Sequence, residues 1–133
     1  MAKQRVLILC TGNSARSQMA EGLLRHMAGD RFAVFSAGTR PAGLNPKAVE
    51  AMGEIGIDIS GQRSKSVDEF IGQQFDYIIT VCDQANESCP IFPGAGKRIH
   101  KSFPDPATHT GDQDAAFRKV RDALNSWLIK EIA

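Results

Sequence analysis

Val6-Leu7-Ile8-Leu9-Cys10-Thr11-Gly12-Asn13-Ser14-Ala15-Arg16-Ser17 is the stretch from which the rest of the chain is best read. Its apolar opening reads as a strand, and helical spacing begins at about Ser17, so Cys10 to Ser17 joins a strand end to a helix start. At such a junction unpaired backbone N–H groups and the positive end of the helix dipole attract anions. A thiol opens the loop and a guanidinium follows six residues later. That pattern describes a cradle for a tetrahedral oxyanion with a nucleophile beneath it. Gly12 lets the backbone curl so that amides point inward, and the hydroxyls of Ser14 and Ser17 can donate to a thiolate or to a bound oxyanion. Arg16 can clamp two oxygens at once. In this setting Cys10 is expected to be a nucleophile at neutral pH, with Thr11, Asn13 and Ala15 completing the loop.

The chain has 133 residues, 42% of them hydrophobic, which is enough for one domain with one core, spanning 1–133, and too little for two. Its formal net charge of +1 gives no broad field, so neither nucleic acid nor an anionic membrane surface is an expected partner. No apolar run approaches membrane-spanning length and the N-terminus lacks a secretory pattern, so a cytoplasmic location is expected. Cys10, Cys82 and Cys89 make an odd count. An odd count argues against a static disulfide framework and leaves metal binding or thiol reactivity.

Met19, Ala20, Leu23, Leu24 and Met27 give a first helix that stops at Gly29-Asp30, and Phe32 to Ala37 reads as a strand ending at Gly38. Together with the opening strand they form a β-α-β unit, whose strands are parallel. Asn45 caps a second helix with Pro46 at its first position and Ala48, Val49, Met52 and Ile55 on its apolar face, before Gly56 closes the turn. Ser66 and Glu69 fit a capping box for a short helix through Val67, Phe70 and Ile71. Phe75 to Val81 is a central strand that runs directly into Cys82. Residues 83–96 read as a turn-rich surface loop with one helical turn. Lys97 to Lys101 is a weaker strand. Pro104 and Pro106 then present Asp105 rigidly. A long amphipathic helix follows from Asp112, with Trp127 expected in the core.

Strands alternating with helices predict an α/β fold: a three-layer, four-stranded parallel sheet flanked by helices, with ligands bound beyond the carboxyl ends of the strands. Cys10, Cys82 and Asp105 all stand at such ends. If the strands of Cys10 and Cys82 are neighbours, they lie about 5 Å apart, a separation a disulfide accepts. A zinc site with His100 or His109 as the fourth ligand is disfavoured, because no close Cys-x2-4-Cys pair exists. His26, His100 and His109 are assigned ordinary surface, capping or loop roles. No metal and no cofactor are expected.

The Cys10 to Ser17 loop and the later Asp105-Pro106 pair resemble the low-molecular-weight tyrosine phosphatase superfamily. Within it the chain is most similar to the thioredoxin-coupled arsenate reductases, through Cys10 to Ser14, Ser17 to Glu21, Ser36 to Gly38, Gly43 to Pro46, and the added pair Cys82 and Cys89. The resemblance implies a phosphatase-like fold and a redox relay. In that relay Cys10 attacks arsenate while Arg16 and the loop amides hold its oxygens, and protonated Asp105 assists the departing one. Cys82 then attacks Cys10, arsenite leaves, and Cys89 takes over the disulfide to give a Cys82–Cys89 bond. Thioredoxin reduces that bond. Glutaredoxin or glutathione is the less favoured donor, and a monomer is expected.

Two rival functions use the same residues. One is hydrolysis of aryl phosphates through a phosphocysteine at Cys10, although Ala107-Thr108-His109 replace the aromatic residues with which the phosphatases grip a phosphotyrosine ring. The other is a thiol sensor without turnover. The sequence also departs from its relatives twice. Ala15 stands where many carry a second loop cysteine. At a potassium site that the resemblance implies for some reductases, Asn13, Glu21 and Ser36 match but Lys65 replaces an aspartate, so the Lys65 ammonium is expected near Glu21 in place of the ion.

Overall fold

A computed structural model of the chain describes residues 3–88 and 96–132. Its elements run β1 (Gln4–Cys10), α1 (Arg16–Ala28), β2 (Phe32–Gly38), α2 (Pro46–Gly53), β3 (Tyr77–Thr80), α3 (Asp83–Ser88), β4 (Lys97–His100) and α4 (Gln113–Glu131), with single 3-10 turns at Val67–Phe70 and Pro106–Thr108. The four strands form one parallel sheet in the order β2-β1-β3-β4. Val6, Leu7, Ile8 and Leu9 are buried completely, as a central strand covered on both faces requires. Helices α1, α2 and α4 pack on one another, and α3 packs against β1 and β3.

The chain leaves β1 for β2 on one side and β3 for β4 on the other. Connections that diverge in this way open a crevice at the carboxyl ends of the two central strands. Cys10 is the last residue of β1, and Leu9 pairs with Thr80 at the end of β3. The expected neighbourhood of the Cys10 and Cys82 strands is therefore present.

Several elements differ from their sequence reading. β3 spans Tyr77–Thr80, shorter than Phe75 to Val81, although Asp76 N and Val81 N still donate to Arg5 O and Leu9 O of β1 at 2.9 Å, and the Asp76 carboxylate accepts from Arg5 N at 2.7 Å. Helix α2 has the Asn45 cap, which accepts from Lys47 N at 2.8 Å, but it ends at Gly53 and leaves Ile55 44% exposed instead of in the core. The Ser66 box is only half made. Ser66 Oγ accepts from Asp68 N, whereas Glu69 pairs with Arg63, so a 3-10 turn forms in place of an α-helix. Trp127 is half-buried, its ring set edge-on to Phe103 at 5.8 Å.

A charged clamp ties α2 to α4. Arg118 makes a two-pronged contact with Glu54, and the mostly buried Arg121 donates to Ala51 O at 2.8 Å and to Glu54 at 3.1 Å. Arg118 and then Arg121 hold the Glu54 carboxyl below its ordinary value of 4.5. A carboxyl lowered by folding contributes stability above its unfolded value, and that contribution is lost as pH falls through the folded one. Glu54→Gln should therefore lower the urea midpoint at neutral pH, with the loss shrinking as pH falls below the ordinary carboxyl value and the Glu54 carboxyl is protonated in the folded chain too. A loss that does not shrink with falling pH would show that the clamp acts by packing alone.

Candidate active site

The loop between β1 and α1 is held open from behind by a directed hydrogen-bond network. Asn13 sits at its apex with φ +45°, the single positive φ outside glycine among the described residues, a conformation that asparagine tolerates better than most. Its orientation is fixed because Lys65 N–H, a donor only, reaches Asn13 Oδ1 at 3.0 Å. The Nδ2 group then donates to Ser17 Oγ at 2.7 Å and to Ser36 Oγ at 3.0 Å. Ser36 in turn donates to Glu21 at 2.6 Å. Ser17 Oγ, already accepting from Asn13, has its own hydrogen free for Cys10 Sγ at 2.9 Å.

The segment that follows α2 is tied to the loop at two further points, through Gln18 of α1 and through Ser64. Buried Gln18 donates to Asn13 O and to Arg63 O, both at 3.0 Å, and Ser64 Oγ donates to Gly12 O at 3.1 Å. Gly38 allows β2 to pass close beneath the loop. A Cβ there would lie 2.5 Å from Thr11 O and 2.9 Å from Asn13 N. Helix α1 begins at Arg16 without a side-chain cap, so the helix start behind the cradle keeps its polarity for an anion.

In front of the loop is a cavity of about 390 Å³ whose wall includes Cys10, Gly12, Ser14, Arg16, Arg40 and Asp105. Arg16 Nη1 donates to Phe103 O at 3.0 Å, and Nη2 stands 3.8 Å from Asp105 Oδ2. Asp105 accepts from Ala107 N at 3.0 Å and starts the short 3-10 turn, so the Pro-Asp-Pro segment holds this carboxylate at the cavity rim. A larger hollow of about 600 Å³ lies at the other end of the sheet. Lys3, Arg5, Asp76 and Lys97 are among the residues lining it, and neither Cys10 nor Cys82 is.

Cys82 completes the arrangement. Its sulfur is 3.2 Å from Thr11 Oγ1, inside the loop that starts at Cys10. Both thiols are free, with Cys10 2% and Cys82 5% exposed. The two sulfurs stand shielded from solvent near adjoining strand ends, each beside a hydroxyl, Ser17 Oγ for Cys10 and Thr11 Oγ1 for Cys82. Cys89 lies outside the described residues. Thus Cys10, Thr11, Gly12, Asn13, Ser14, Ala15, Arg16 and Ser17 form one loop, with Cys82 and Asp105 brought to it from distant sequence. Arg40, Gln18, Ser64 and Phe103 O belong to the same surroundings and were not legible beforehand.

Lys65 is found where the charge comparison places it. Its Nζ is 3.8 Å from Glu21 Oε1 and donates to Arg63 O at 3.0 Å, while Arg25 Nη2 reaches the other Glu21 oxygen at 2.7 Å. Burial pushes the Lys65 ammonium below its ordinary 10.5, and Glu21 partly offsets that. His26 and His109 are exposed. His100 has a more definite position than a loop role implies, bridging Thr80 Oγ1 at 2.8 Å and Asp83 Oδ1 at 2.9 Å across the Cys82 turn. Among the described residues no three His, Cys, Asp or Glu side chains converge as a metal site, and no helix is long and apolar enough to cross a membrane.

Comparison with known proteins agrees with this arrangement. Residues 5–132 match the model of the low molecular weight phosphotyrosine protein phosphatase family. An arsenate reductase of Bacillus subtilis is 46% identical over 100% of this chain and 97% of its own length, and one from Staphylococcus epidermidis is 44% identical over 95% and 94%. Among solved structures, an arsenate reductase in the phosphate binding state superimposes with a TM-score of 0.80 at 31% identity, covering 98% of this chain and 99% of that one. The thioredoxin-dependent arsenate reductase of Corynebacterium glutamicum gives 0.71 at 27% identity, covering 96% of this chain and 61% of that one. The chain belongs to the low molecular weight phosphotyrosine protein phosphatase family and groups there with the arsenate reductases.

Proposed function

We propose that the chain reduces arsenate to arsenite by a three-cysteine relay. The observation that carries this reading is the position of Cys82, whose sulfur lies against Thr11 of the oxyanion loop. A hydrolytic cradle has no use for a second thiol there. Cys10 attacks arsenic and an oxygen departs, with Asp105 supplying a proton and Arg16 and the loop amides holding the remaining oxygens. Cys82 loses its proton and attacks Cys10 Sγ. The Cys10–arsenic bond breaks with its electron pair left on arsenic, and a Cys10–Cys82 disulfide forms. In sum, hydrogen arsenate, two thiols and two protons give arsenous acid, one disulfide and water. Cys89 then displaces Cys10 from the disulfide and carries the oxidation outward.

Thioredoxin is the proposed reductant of the resulting Cys82–Cys89 bond, by thiol-disulfide exchange. The thioredoxin dependence of the Corynebacterium relative supports this choice. The experiment is arsenate reduction with thioredoxin, or with glutaredoxin and glutathione, as the sole electron source, run beside hydrolysis of an aryl phosphate. Robust arsenite production with thioredoxin is expected. Faster aryl phosphate hydrolysis with no arsenite would favour the phosphatase reading instead.

The Lys65 ammonium, 3.8 Å from Glu21 Oε1, adds a second cation beside Arg25 and takes the place of the potassium ion that the resemblance implies for some reductases. The wild type should reduce arsenate equally fast in potassium and in sodium salts. Lys65→Asp restores the acidic residue of the relatives and should become faster in potassium. Activation of the wild type by potassium over sodium would contradict this role.

A further inference from the structure

We propose that Arg40 is a second, electrostatic capture group at the cavity mouth, attracting the dianionic substrate and exerting no comparable pull on the uncharged product. The proposal rests on the reading of the Cys10 loop as the arsenate site and adds a residue to it. Arg40 lines the same cavity as Cys10, Arg16 and Asp105. Its side chain belongs to an exposed residue, while its backbone N donates to Thr11 O at 2.8 Å, which fixes its Cα at the lip of the loop.

Its charge is also available. Arg25, Arg63, Arg118 and Arg121 each spend their guanidinium on a carboxylate, and Arg16 is turned to Phe103 O and Asp105. Among the described residues none takes up the guanidinium of Arg40. Arg16 and Asp105 line the same cavity and stand 3.8 Å apart, so the Arg16 charge is shared with a carboxyl while that of Arg40 is not. With a chain-wide net charge of +1, attraction at the mouth comes from local groups, and Arg40 adds a full exposed charge to the uncapped start of α1 and Arg16.

The reaction changes the charge on which Arg40 acts. Hydrogen arsenate carries two negative charges at neutral pH, whereas arsenous acid carries none, so attraction at the mouth favours entry without slowing exit. Inorganic phosphate has the shape and charge of arsenate. Arg40 therefore attracts both equally and sets charge preference, leaving discrimination between the two oxyanions to the thiols. Being exposed, the Arg40 contribution must fade with salt, because the screening length falls from about 30 Å at 0.01 M to about 10 Å at 0.1 M.

The test uses the reduced full chain, with inorganic phosphate as the probe and alkylation of Cys10 by iodoacetamide, read on the Cys10 peptide by mass spectrometry. Arg40→Gln should raise the half-protecting phosphate concentration about five-fold at about 10 mM ionic strength and less than about 1.5-fold at about 0.5 M. Arg40→Lys should keep most of the protection. In arsenate turnover KM should move by the same factor, with kcat and inhibition by arsenite unchanged. Equal protection in Arg40→Gln and wild type at low salt, or an equal loss at both salts, would overturn the proposal. Absence of phosphate protection in the wild type itself would remove the cradle reading, and Arg40 with it.

Discussion

Cys82→Ser is expected to stop arsenate reduction while leaving the oxyanion cradle able to bind. One thiol forms an adduct with arsenic but supplies only one of the two sulfurs that must end in a disulfide, so the adduct has no route to arsenite. The rate should fall by at least about three orders of magnitude, equal to about 4 kcal/mol of barrier. Cys82 is nearly enclosed and touches Thr11 Oγ1 at 3.2 Å, a contact that a serine hydroxyl can imitate. The cradle should therefore survive, and protection of Cys10 from alkylation by phosphate should match the wild type. Retention of more than about a tenth of the wild-type rate, a loss of under about 1.4 kcal/mol, would take Cys82 out of the reaction. Loss of phosphate protection in the variant would mean that the substitution had damaged the cradle instead.

Arg16→Lys is expected to be the next most damaging change. The guanidinium makes two connections at once, to Phe103 O at 3.0 Å and toward Asp105 at 3.8 Å, and its planar fork suits two oxygens of a tetrahedral anion. An ammonium keeps the charge but loses the fork. Removal of one such oxyanion contact typically costs about 10²–10³ in rate, and kcat/KM should fall by about that factor for arsenate. The loss should persist at high salt, because Arg16 is only 14% exposed at its side chain. Arg40 is expected to differ in that respect. Near-wild-type turnover by Arg16→Lys would mean that charge alone suffices and that the forked geometry is incidental.

The parts of this site legible in the sequence are the contiguous ones and those imposed by the backbone. Cys10 to Ser17 is a single run between an apolar strand and a helix start, so its chemistry could be read from spacing. Pro104 and Pro106 restrict the chain around Asp105 before any tertiary contact forms, and Asn45-Pro46 marks the start of α2 by local capping. Cys82 required one tertiary fact, that β3 lies beside β1. By contrast, Gln18 reaches Arg63 O, Ser64 reaches Gly12 O and Lys65 N reaches Asn13. These contacts join segments 45 to 52 residues apart, and no local pattern encodes them.

The misread positions have the same origin. Glu69 stands at the capping-box spacing from Ser66, yet Arg63 competes for its carboxylate and wins. Trp127 falls on the apolar stripe of α4, but Phe103 covers it only edge-on. Ile55 continues the α2 spacing after the helix has already ended at Gly53. Local preference gives way in each case to a partner or an ending supplied by another part of the chain.

Mixing the fully reduced protein with one equivalent of arsenate, with no other reductant present, is the most direct test of the relay. The account predicts about one arsenite and the loss of two thiols per chain, with peptide mapping placing the disulfide between Cys82 and Cys89. Arsenate recovered unreduced, with all three thiols intact, would contradict it.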